Sequence, residues 1–146
     1  MRFRIFVFFT VFVTNLSFAQ SINIAVFNDK TVNSVAVSVR QGKYIIKNND
    51  DVIGEYKKGS IFHISRFGKE LEIRDKRNFI GNFDRIEFQN ISGDGIIQVK
   101  PINPVSEARE YDDNLILYCK DNEMNIINKV DMEKYIASVI EAEGGN

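Results

Sequence analysis

The chain reads as mainly β, α+β overall: a small antiparallel β-sandwich or barrel-like domain, then a β-hairpin and one C-terminal helix. Three observations predict this. Short runs of alternating apolar and polar residues follow one another from Ile22 to Lys100, at the about 8–12-residue spacing of hairpin-linked strands. Turn-forming residues such as Asn28-Asp29-Lys30, Gln41-Gly42, Lys58-Gly59 and Gly93-Asp94-Gly95 fall between the runs. A helical period emerges only after Asp131.

Taken in order, Ile22 to Phe27 alternates as a half-buried strand does. Val35, Val37 and Val39 mark one face of the next, with Ala36 and Ser38 on the other. Lys43 to Lys47, Val52 to Lys57, Ile61 to Ser65 and Glu70 to Arg74 continue the series. Phe79-Ile80-Gly81, Arg85 to Ile91 and Ile96 to Lys100 complete it. Pro101 and Pro104 bracket a polar segment reaching Asp113, and the expected domain boundary lies there. Beyond it, Leu115 to Cys119 and Met124 to Asn128 form a hairpin-like pair that feeds the helix. The expected organisation is a β-rich accessory domain over 20–104 and the start of a second domain over 105–146.

The 146 residues leave room for one domain, or one domain and the edge of a second. A hydrophobic fraction of 44% with 27% charged residues belongs to a folded chain rather than a disordered one. Twelve Phe and five Tyr, with no Trp, supply the aromatic part of a core. A net charge of −1 provides no basic field for nucleic acid. With one His, His63, and one Cys, Cys119, the chain has neither an intramolecular disulfide nor a metal signature. His63 lacks the positioned partner that acid–base work needs, and Cys119 lies in an apolar run as a small core residue does. No cofactor is expected.

The N-terminus has the layout of an export signal over 1–19: a charged Met1-Arg2-Phe3-Arg4, an apolar Ile5 to Val13, and a small-x-small site at Ser17-Phe18-Ala19. Its apolar run is short for a membrane span, so no stable span is expected after cleavage. The expected location is the periplasm, the cell surface or the exterior.

The C-terminal helix carries the one candidate catalytic residue. Asp131 is placed to cap it, and Val130 with Tyr135 stand at staple spacing. Met132, Ile136, Val139 and Ile140 make an apolar stripe, and Gly144-Gly145 end the helix. At about 100° per residue, Glu143 projects within roughly 20° of Ile136, near the middle of that stripe. Lys134 and Glu141 point the other way as solvated charges. Two readings of Glu143 follow. Held against apolar neighbours, a carboxyl group favours its neutral form, which a general acid requires; frayed into water, it is an ordinary surface Glu.

The run from Ile126 to Glu143 resembles the opening of the stage II sporulation protein D (SpoIID/LytB) domain. The matching positions are Ile126, Ile127, Asn128, Val130, Met132, Glu133, Tyr135, Val139, Ile140 and Glu143, with Arg109, Tyr111 and Leu115 upstream. The resemblance implies an exported, peptidoglycan-active protein, a lytic transglycosylase in which Glu143 is the catalytic acid. Glycan strands of peptidoglycan would be its substrate. Neither Asp112-Asp113 nor Glu141 with Glu143 makes the facing carboxylate pair of an ordinary glycosidase, and a lytic transglycosylase works with one Glu. The family domain continues past this Glu through an Ala-rich helix, whereas this chain ends at Asn146. The expectation is therefore an N-terminal piece of a longer enzyme, inactive alone. The alternative is a non-catalytic wall-binding or amidase-enhancing module, with a cell-wall amidase as its partner.

Overall fold

In the computed structural model, which describes residues 20–76 and 78–144, the alternating runs become strands. The signal-peptide segment lies outside the described residues. The strands are β1 (Ser21–Val26), β2 (Ser34–Gln41), β3 (Lys43–Asn48), β4 (Asp51–Lys57), β5 (Ile61–Phe67) and β6 (Glu70–Asp75). They continue as β7 (Asn78–Phe83), β8 (Arg85–Asn90), β9 (Ile96–Asn103), β10 (Arg109–Asp112), β11 (Asn114–Lys120) and β12 (Glu123–Asp131). One helix, α1 (Met132–Gly144), follows β12 directly.

Two six-stranded antiparallel sheets result, in the orders β1-β12-β11-β8-β3-β4 and β10-β9-β2-β5-β6-β7. Among the described residues each sheet has two unpaired edges, so the fold is a sandwich and not a closed barrel. The alternation in sequence explains which side chains meet between the sheets. Val35, Val37 and Val39 of β2 are buried, as are Phe62 and Ile64 of β5 and Leu71 and Ile73 of β6. From the other sheet come Tyr44 and Ile46 of β3 and Ile86 and Phe88 of β8. Phe62 meets Phe88 edge-on at 5.4 Å between ring centroids, and Tyr56 of β4 at 4.7 Å. Edge-on aromatic pairs of this kind contribute about 0.5–1.5 kcal/mol beyond their burial. Here they tie one sheet to the other.

Strand pairing runs across the segment where the sequence reading sets its domain boundary. β9 continues through Pro101 to Asn103, and β10 pairs back onto its first half. The missing N–H of Pro101 is tolerated because β10 covers only Ile96 to Val99, leaving β9 an outer strand at the proline. β11 lies between β8 and β12, and β12 between β11 and β1. Leu115, Leu117, Met124 and Ile126 join the same core cluster as the β2 valines. The residues up to Asp131 therefore close a single core.

Candidate active site on the C-terminal helix

Asp131 is the last residue of β12 and the cap of α1. Its Oδ1 accepts from the backbone N–H of Glu133 at 2.9 Å and of Lys134 at 3.1 Å, two of the donors that a helix start leaves unpaired. The backbone N–H of Met132 donates to the carbonyl of Gln20 at 2.9 Å, tying the first helical residue to the start of β1. Val130, expected as half of a staple, instead points into the sandwich at 5% exposure, while Tyr135 is exposed. The reason is the strand period: β12 buries Met124, Ile126, Asn128 and Val130 on one face.

Asp113 supplies the rest of the helix root. It sits in the tight turn between β10 and β11 with φ of 59°, a left-handed conformation that Asp tolerates better than most residues. Its Oδ2 accepts from the Asp131 N–H at 3.0 Å, and its Oδ1 pairs with Lys134 Nζ at 2.7 Å. That hydrogen bond first, and then the charges of Asp113, Asp112 and Asp131, raise the Lys134 ammonium above its ordinary range. Asn128 secures the turn from beneath. It is the one buried polar residue among those described. With its amide nitrogen facing the nearby carbonyls, it donates to Asp112 O at 2.9 Å and to Asn114 O at 3.2 Å. The two carbonyls flank Asp113.

Above this root the helix has no buried residue. Met132 and Val139 are partly covered, while Tyr135, Ile136 and Ile140 are exposed, the last at 64%. Glu143 is exposed at the far end, about 18 Å along the axis from the cap at ~1.5 Å per residue. Glu141 is exposed as well. The apolar stripe that the sequence pattern sets beside Glu143 is thus present on the helix, with Ile136 and Ile140 exposed and Met132 and Val139 partly covered.

The other candidates fall into place around the sandwich. Arg109 and Tyr111 are on β10: the Arg109 guanidinium lies 4.8 Å above the Phe27 ring, whose edge meets Tyr111 at 6.4 Å. Leu115 is fully buried. These upstream positions of the resemblance pack the fold. His63 is exposed on the outer face of β5, opposite Ala36 and Arg74. Cys119 packs against the core, its thiol donating to Glu70 O at 3.4 Å, and burial pushes its pKa up, away from the reactive thiolate. Asp112 is exposed, while both carboxylate oxygens of Asp113 are engaged by the Asp131 N–H and by Lys134.

Two features were not legible in the sequence. Lys134 reads as solvated there, because its partner Asp113 lies 21 residues away in the turn between β10 and β11. Tyr44 is fully buried with no hydrogen-bond partner for its hydroxyl among the described residues. Burial first, and then the charges of Asp113, Asp112 and Asp94, raise its pKa well above the ordinary tyrosine range.

Among the described residues no group of three or more His, Cys, Asp or Glu side chains is arranged to hold a metal ion. No described helix is long and apolar enough to cross a membrane. No family model matches the chain, and neither a curated protein nor a solved structure matches it.

Proposed function

We propose that this chain serves in an exported peptidoglycan-active protein, a lytic transglycosylase whose single acid/base is Glu143. The observation that carries the reading is where Glu143 stands: at the open end of a capped helix, on the same side as the uncovered residues Ile136 and Ile140. The SpoIID-like run from Ile126 to Glu143 supports the same residue. In this chemistry the protonated carboxyl group donates to the glycosidic oxygen as the C–O bond breaks. The resulting carboxylate takes the proton of the sugar's own C6 hydroxyl, whose oxygen closes a 1,6-anhydro ring on the cationic centre. Proton and electron pair are balanced within one residue and one sugar, and no second carboxylate is required.

The apolar stripe has its place in this reading. Ile136 and Ile140, exposed on the same side of the helix as the exposed Glu143, are the apolar residues that a bound glycan would meet beside it. The test uses the longest reading frame that contains residues 20–146, incubated with glycan strands stripped of stem peptides. Products ending in 1,6-anhydro sugars are expected, and Glu143→Gln should abolish them. Absence of those products, or unchanged activity in Glu143→Gln, rejects the reading.

A second reading, a wall-binding or amidase-enhancing module, is favoured by a different observation: the sandwich closes its core without any α1 residue. Its test is binding of residues 20–131 to purified cell walls. A cut at Pro104 would not serve, because it removes β11 and β12 from the core. Retained binding without the helix would support this reading; binding that requires α1 would count against it.

A further inference from the structure

We propose that Asp113 is a positioning residue, the clamp that sets the direction in which α1, and Glu143 with it, leaves the sandwich. A helix in a globular domain usually takes its direction from the face that it buries. α1 buries no side chain. Its direction is fixed at the root, where one carboxylate holds two points of the β12–α1 junction at once. Oδ2 of Asp113 holds the backbone at Asp131, and Oδ1 holds Lys134, one turn into the helix. Together with the Asp131 cap and the bond from Met132 N–H to Gln20 O, these two contacts on different residues restrict rotation of the helix about its root.

The clamp is itself held rigidly. Asp113 is in the left-handed region at φ 59°, a conformation that persists only where its surroundings impose it. With its amide nitrogen turned toward them, the buried Asn128 donates to the carbonyls on either side, Asp112 O and Asn114 O, and braces the turn. A chain of contacts therefore runs from the sandwich interior to the helix: Asn128 fixes the turn, the turn aims Asp113, and Asp113 aims α1. The Asp113 side chain is 15% exposed and that of Lys134 51%, so the ion pair is shielded on the Asp113 side only, and the bond to the Asp131 N–H carries the rest of the hold. That Glu143 is the group being aimed rests on the functional reading given above; the clamp does not.

The test reads the helix direction itself. Spin labels at Lys100→Cys, on the exposed face of β9, and Glu141→Cys, on the exposed far turn of α1, are placed in a Cys119→Ser background. The distance distribution between them is measured by electron double resonance. With Asp113 present, one dominant distance is expected. Asp113→Ala should broaden it and remove the single maximum. Asp113→Asn keeps the turn and an acceptor for the Asp131 N–H but loses the charge pair, so it should broaden it less. Lys134→Met, which leaves the Asp113 turn untouched, guards against a variant that merely misfolds and should resemble Asp113→Asn. A distribution already broad with Asp113 in place, or one unchanged in Asp113→Ala, would overturn the proposal. The same variants in the longer reading frame separate the two ideas. Helix distances that respond while no protein cleaves glycan leave the clamp standing and remove the glycan reading. Where cleavage does occur, the clamp predicts a fall in kcat with KM held.

Discussion

Residues 20–131 and the helix that follows them are held by different forces. The sandwich is built on side chains such as Val37, Ile64, Ile86 and Leu117, all fully buried between two sheets. The helix buries none and is fastened by Asp113, Asp131 and Gln20 at its first turn. Hydrophobic burial holds the first region as a whole, whereas a few directional contacts hold the second at one point. One chain thus joins a self-sufficient body to an outrigger on which Ile136 and Ile140 stand exposed. Substitutions in the two regions should therefore differ in kind as well as in size.

The largest effect is expected inside the sandwich, beyond the prolines. Leu117→Ala removes a fully buried side chain of β11 and should cost about 2–5 kcal/mol. Denaturant unfolding should show it as a lower midpoint of one transition shared by every strand. A separate transition for residues 105–131 would break the comparison. Next comes Gly42, in the turn between β2 and β3 at φ 73°, where an added Cβ would collide with Ser92 Oγ and stand 2.7 Å from Gly95 Cα. Gly42→Ala should cost roughly 1–3 kcal/mol, combining backbone strain with displacement of the β8–β9 loop, read in the same unfolding experiment.

Tyr44 sharpens the picture from the opposite direction. Its buried hydroxyl has no partner among the described residues, so Tyr44→Phe should stabilise the sandwich by about 1 kcal/mol. The pH dependence has a definite sign. Because the folded-state pKa is raised, the unfolded chain ionises first as pH rises past the ordinary value of 10.0. The unfolded state then binds fewer protons, and stability falls with increasing pH. Tyr44→Phe should remove that part of the alkaline loss. The smallest effect belongs to α1: Ile140→Glu, at a residue 64% exposed, should change the stability of the sandwich by less than about 0.5 kcal/mol.

How much of this was legible in the sequence depends on the range of the contact that decides it. The strand faces are local, so alternation at Val35-Val37-Val39 located core residues directly. The Asp131 cap is local too, its acceptor lying two and three residues from the donors. The polar stretch after Pro101 hid its structure, because a proline argues against a strand unless that stretch is known to lack a neighbour on one side. β10, only four residues long, has too little alternation to announce itself. Asn128, which ends the second run of the expected hairpin, lies within β12 and braces the distant turn between β10 and β11. The stripe beside Glu143 was readable as a pattern, but its exposure was not. Periodicity shows which side chains share a face and says nothing of what lies opposite.

Native-state hydrogen exchange tests the division between body and outrigger most directly. Amides of Leu115, Leu117 and Ile126 should exchange with the same slow free energy as those of Val37 and Phe62, while amides from Ile136 to Glu141 exchange faster through local opening. Helix amides protected as strongly as the core, or β11 and β12 opening apart from β2 and β5, would contradict the account.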